Sequence, residues 1–128
     1  MAKKDLPLVY SCSGCSNIAQ LANQVALELD REETAEMSCI AGVGGGVKSL
    51  VKQAQNASLI IALDGCALHC VKNCLEQHGV STVHHHTLTD YGIKKRKHFD
   101  FNQSDVKIVK DLVLKDLLAN SCVHETLQ

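Results

Sequence analysis

Leu59-Ile60-Ile61-Ala62-Leu63-Asp64-Gly65-Cys66-Ala67-Leu68-His69-Cys70 is the stretch from which the fold can be read. Leu59 to Leu63 is a continuous apolar run, as expected of a strand buried on both faces of a parallel sheet. Asp64-Gly65 breaks the run. Leu68, Val71 and Leu75 then recur at helical spacing until Gly79 ends the pattern. Cys66 and Cys70 are thus expected to open a helix, four residues apart, where side chains share one face. Exposed N–H groups and the dipole at a helix start favour the metal-binding thiolate. The segment is built to hold a soft cation or to do thiol chemistry.

The same strand-then-helix pattern extends in both directions. Leu8-Val9-Tyr10 reads as a short strand, and Ser16 can cap a helix whose stripe is Ile18, Leu21, Ala22, Val25 and Leu29. Thr34 to Ala41 reads as a second strand, Gly42 to Gly46 as a loop, and Val47, Leu50, Val51 and Ala54 as the inner face of a second helix. Val80 to Thr87 is a fourth strand. Thr89 to Gln103 reads as a polar loop, and Ser104 or Asp105 can cap a last helix from about Val106 to Ser121. This alternation predicts an α/β fold, one three-layer domain over residues 1–128, with a mostly parallel sheet of about four strands and helices on both faces.

A chain of 128 residues can bury roughly two thirds of its unfolded surface, so neither disulfides nor a metal is needed for folding. Thirteen basic and fourteen acidic residues leave a net charge of −1, which gives no global field for nucleic acid or a membrane surface. Lys94-Lys95-Arg96-Lys97 reads as a solvated loop, because it lacks interleaved aromatics for base stacking. Lys3-Lys4-Asp5 is followed by too few apolar residues for a signal peptide. The stretch before Cys12 is likewise too short for a lipoprotein leader, and no run approaches the ~18 apolar residues of a membrane span. A reducing, cytoplasmic location is expected, in which the seven cysteines are ligands, catalytic groups or core residues and not disulfides.

Sites in parallel α/β folds form at the carboxyl ends of the strands. Cys12 and Cys15 follow the first strand, Cys39 lies late in the second, and Cys66 and Cys70 follow the third. Three strand ends delivering thiols to one edge suit a tetrahedral soft-metal site. Cys12-Ser13-Gly14-Cys15 has a spacing shared by zinc ligands and redox pairs. Cys74 lies a helical turn further in and reads as core, and Cys122 as a core or surface thiol. In His84-His85-His86, alternation lets only His84 and His86 share a side; they read as partly exposed polar strand residues, and His69 is expected on another helical face. Gly42-Val43-Gly44-Gly45-Gly46-Val47-Lys48-Ser49 resembles a phosphate-binding loop, but Val47 stands where the pattern needs glycine, so nucleotide binding is not expected. Phosphatase chemistry at Cys12 lacks its arginine, since Ile18 and Ala19 occupy the positions downstream.

Taken together, Cys12-Ser13-Gly14, Cys39-Ile40-Ala41-Gly42 and Asp64-Gly65-Cys66 with Cys70 resemble the DGC-domain family of small prokaryotic proteins. The resemblance implies Zn²⁺ held by a cluster of four cysteines, which map onto Cys12, Cys39, Cys66 and Cys70. Cys15 is an addition to the pattern and a candidate further ligand. Asp64, Ser13 and the Gly14 backbone are expected to orient and tune the sulfurs. Four thiolates leave no open coordination position, so a structural, sensory or metal-handling role is expected, with the metal ion as the bound partner and without hydrolysis. The other class is a thiol oxidoreductase or sulfur carrier, with Cys12 or Cys66 attacking and Cys15 or Cys70 resolving. Metal binding ranks above it, because Cβ atoms four apart on a regular helix are ~5–6 Å apart and a disulfide needs ~3.5–4.5 Å.

Overall fold

The computed structural model describes residues 6–81 and 83–127, the side chains of 83 and of 120–127 excepted. In chain order it contains β1 (Leu8–Ser11), α1 (Asn17–Arg31), β2 (Glu36–Met37), α2 (Ile40–Gly44), α3 (Lys48–Asn56), β3 (Ile60–Asp64), α4 (Cys70–Glu76), β4 (Val83–Thr87), a 3-10 turn (Leu88–Tyr91) and α5 (Gln103–Leu127). The four strands form one all-parallel sheet in the order β2-β1-β3-β4. The expected α/β architecture is therefore present, and every βα turn of the sheet opens on the same edge.

Alternation along the strands divides the core between two faces. Val9, Ile61 and Leu63 point to one side, where the α1 stripe of Ile18, Leu21, Ala22, Val25 and Leu29 meets Val106, Val109 and Val113 of α5. Leu8, Tyr10, Ile60 and Ala62 point to the other, against Val43 of α2, Ala54 of α3, and Val71 and Leu75 of α4. β3 is buried at all five positions, as its unbroken apolar run predicts. Ser16 caps α1, its Oγ accepting from Ala19 N at 3.2 Å.

Several boundaries differ from expectation. The second strand covers two residues, not Thr34 to Ala41, because pairing with β1 ends once Ser38 N–H has donated to the Val9 carbonyl. Ile40 and Ala41 instead begin α2. The glycine segment continues that helix. Val43, Gly45, Gly46 and Val47 donate their N–H groups to the carbonyls of Cys39, Ala41, Val43 and Gly42, so these amides are turned inward and make no phosphate cradle. The helix after β3, α4, starts at Cys70 and not at Cys66. The expected polar loop opens with the end of the 3-10 turn, and the last helix is longer at both ends, Gln103 to Leu127. The Cys122 side chain lies outside the described residues.

Candidate functional site

β1 and β3 pair through Ser11 and Leu63, and the chain leaves both strands side by side. Cys12 N–H donates to the Leu63 carbonyl at 3.1 Å, which extends the pairing by one residue. The Gly65 amide then donates back to Cys12 Sγ at 3.2 Å. Only glycine fits there: a Cβ on residue 65 would lie 2.9 Å from Ile18 Cγ2 and 3.0 Å from its backbone. The motif Asp64-Gly65-Cys66 thus lets the turn after β3 press against the start of α1.

Cys12, Cys15, Cys66 and Cys70 line one cavity of about 240 Å³, together with Gly14, Gly65, Ile18, Ala19 and Leu68. Of the expected ligands the fold brings Cys12, Cys66 and Cys70 to this cavity and adds Cys15. Cys39 is exposed, stands before the first turn of α2, and lines a neighbouring hollow with Ser11, Ser13 and Met37. Cys12 and Cys66 are half-buried, whereas Cys15 and Cys70 are exposed. Burial, the largest effect, pushes the Cys12 thiol up to about 11; the Gly65 N–H opposes this, and negative charge on Asp64, Cys70 and Cys66 adds to it. Such coupling means that sulfur charge at one position is felt at the next. Cys74 faces α2, where its Sγ would lie 2.9 Å from a Cβ placed on Gly44, and its thiol too is raised, chiefly by burial.

Cys66 belongs to the turn and Cys70 to the helix, so the pair is not the i,i+4 pair of a regular helix. The reversal is made by His69, which has left-handed backbone (φ 53°, ψ 49°), a conformation that costs a non-glycine residue roughly 1–2 kcal/mol. Its ring is held by contact with His85, edge-on at 4.8 Å, and by Thr87 Oγ1 at 3.1 Å from Nε2. Asp64, 1 % exposed, does what a capping residue would do: Oδ1 accepts from Val71 N at 2.8 Å and Oδ2 from Lys72 N at 3.1 Å. The same Oδ2 lies 2.8 Å from His85 Nε2. Register explains the pairing. Ala62 stands beside His85 and Asp64 beside Thr87, so Asp64, His85 and Thr87 share a face. His84 and His86 turn the other way, each 3.3 Å from Asp116 Oδ2 on α5.

Asp64 therefore orients the chain that carries the thiols and makes no direct hydrogen bond to sulfur among the described residues. Ser13 and Gly14 are fixed through their carbonyls, which accept from Gln20 Nε2 at 3.4 and 2.8 Å. The basic run is an exposed loop, as read from the sequence, and its backbone is tied down. Asn17 N–H donates to Arg96 O at 3.1 Å, its Nδ2 donates to Lys94 O at 3.0 Å, and its Oδ1 accepts from Arg96 N at 2.6 Å. Lys95 and Lys97 consequently line the thiol cavity, and Lys95 Nζ lies 3.4 Å from Cys66 Sγ.

Four cysteines from two strand ends line one cavity, and thiolates are ligands of the type that soft divalent ions take. Among the described residues no three Cys, His, Asp or Glu side chains stand clustered as a metal site. No helix of the described residues is long and apolar enough to cross a membrane.

The family model of the DGC domain matches residues 8–113, which hold every strand and all the thiols of the cavity. A protein of Pseudomonas aeruginosa named anaerobic and virulence modulator AnvM is 59 % identical over 102 residues, covering 80 % of this chain and 78 % of its own length. No solved structure matches. With the family model matched over most of the chain and a relative 59 % identical, the chain belongs to the DGC domain family.

Proposed function

We propose that this protein binds Zn²⁺ through thiolates at the carboxyl edge of its sheet, in a reducing compartment such as the cytoplasm, and acts as a sensory or metal-handling protein and not as a hydrolase. The observation that carries the reading is the cavity bounded by Cys12, Cys15, Cys66 and Cys70. A cation there offsets both the burial and the mutual repulsion that keep Cys12 protonated. Cys12, Cys66 and Cys70 are the central ligands. Cys15 is the fourth by position on the cavity, and Cys39, the fourth by its place in the sequence pattern, is the competing choice. Asp64 and His85 fix the helix start that carries Cys70, and with it the turn that carries Cys66. A filled four-thiolate shell leaves no place for substrate or water, which fits a protein whose relative is named a modulator.

The test is metal content of protein purified under reducing, anaerobic conditions without added zinc. About one Zn²⁺ per chain is expected for a single thiolate site. Changing Cys12, Cys66 or Cys70 to Ser should abolish retention against a chelator, whereas Cys74→Ser should leave it intact. Cys15→Ser and Cys39→Ser decide the fourth ligand, because only one of them should lose the metal. Reduced protein that takes up no zinc on reconstitution would overturn the proposal.

A further inference from the structure

The cavity has two unlike walls. One carries the cysteines and the apolar residues Ile18, Ala19 and Leu68; the other carries Lys95 and Lys97, and no acidic residue lines it among the described residues. A pair of surface lysines would ordinarily be mobile and weakly placed. Here the backbone between Lys94 and Arg96 is clamped by three hydrogen bonds to Asn17, itself buried on the sheet side of α1. Arg96 is turned away from the cavity, over the Phe99 ring at 5.4 Å. Lys95 is thereby held with its Nζ 3.4 Å from Cys66 Sγ. The other thiols are differently served: Cys12 Sγ accepts the Gly65 amide and is half-buried, and Cys15 is exposed.

We infer that Lys95 makes Cys66 the thiol of this cavity that reacts with small anionic disulfides, recognising their carboxylates beside the attacking sulfur. The Cys66 sulfur attacks one sulfur of the ligand's S–S bond; a new S–S bond forms to that half, and the ligand's own S–S bond breaks. The other half leaves with the electron pair as a thiolate and takes up the proton that Cys66 gave up. The disulfide ligand is the oxidant, and Cys66 ends as a mixed disulfide. Lys95 attracts the incoming anion to the sulfur beside it, and Lys97 adds positive charge on the same wall. The inference rests on the thiolate-site reading only in taking these thiols to be reduced. Metal content and thiol selectivity are separate measurements, so either idea can fail alone.

The experiment compares iodoacetate, an anion, with iodoacetamide, its neutral counterpart, on full-length reduced protein freed of metal by a chelator, with rates assigned to each cysteine by peptide mass spectrometry. Cys66 should show a higher iodoacetate-to-iodoacetamide ratio than Cys15 of the same molecule. Lys95→Gln should lower the ratio at Cys66 about five-fold, the scale set by unit charges about 4 Å apart in water, while Lys95→Arg should keep most of it. Glutathione disulfide, which is anionic, should modify Cys66 faster than neutral hydroxyethyl disulfide, and the preference should vanish in Lys95→Gln. The ratio at Cys15 serves as the internal control for folding. An unchanged ratio at Cys66 in Lys95→Gln, or first modification at Cys15 by both disulfides, would overturn the inference.

Discussion

A methyl group at position 65 would lie 2.9 Å from Ile18 Cγ2 and 3.0 Å from the carbonyl carbon and oxygen of Ile18. Backbone atoms of a helix cannot give way as a flexible side chain can, so Gly65→Ala must push the turn after β3 away from α1. Gly65 also donates to Cys12 Sγ and accepts from Thr89 N–H at 3.0 Å, and both bonds move with it. Gly65→Ala should cost about 1–3 kcal/mol, the usual range for an overpacked contact, and should speed modification of Cys12 by a neutral thiol reagent. An unchanged denaturation midpoint would show that the close approach is not a constraint. The importance of Asp64-Gly65-Cys66 was legible in the sequence, because an apolar run ending in Asp-Gly marks a strand leaving the sheet. Lys95 was not legible. Its place beside Cys66 depends on Asn17 binding Lys94 and Arg96, contacts that span more than seventy residues and that no local pattern announces.

At the scale of elements, α4 lacks a side-chain cap of its own. Its N-cap residue, His69, has left-handed backbone and makes no capping bond, and Asp64 supplies the missing acceptors from the end of β3. The helix start, the strand end and His85 of β4 are therefore one hydrogen-bonded unit. Asp64→Asn keeps the volume but replaces one acceptor oxygen with a donor, leaving Val71 N, Lys72 N or His85 unsatisfied in a buried place. The expected cost is about 1–3 kcal/mol per buried group left unpaired, with faster hydrogen exchange at the Val71 and Lys72 amides than elsewhere in α4. Exchange rising equally over all helices would mean that Asp64 has no special hold on this one. Helical spacing placed the helix start at Cys66 because Leu68, Val71 and Leu75 fit the period. Leu68 is exposed and lies in the turn, so one accidental match shifted the boundary. Register explains the rest: the three adjacent histidines alternate faces, but which face meets Asp64 follows from the pairing of β3 with β4, and pairing is not written in either strand alone.

Across the whole molecule, the sheet is assembled from units whose apolar runs declare themselves, while its outer layers are joined by polar contacts that do not. α5 covers the face bearing Val9, Ile61 and Leu63, and besides its valines it is tied to the sheet through Asp116, which lies 3.3 Å from both His84 Nδ1 and His86 Nε2. His86 is buried and its Nδ1 is bonded to Tyr91 Oη. Burial lowers its pKa from 6.5; the Asp116 carboxylate opposes this, and His85 and His84 add to the lowering. The folded protein thus resists protonation at a site where the unfolded chain accepts a proton near pH 6.5. Between the two pKa values the unfolded state binds more protons, so stability rises with pH in that window. The contribution of His86 is fully present above about pH 6.5 and is lost as the pH falls through the folded value. Urea midpoints measured from pH 7.5 down to 5 should therefore decline more steeply for the unmodified protein than for His86→Gln, by up to about 1.4 kcal/mol per pH unit for one proton. His86→Gln will itself be less stable at neutral pH, having lost the contact with Tyr91, so it is the slope and not the midpoint that decides. Parallel slopes would place the acid sensitivity of this fold elsewhere than at the seam between β4 and α5.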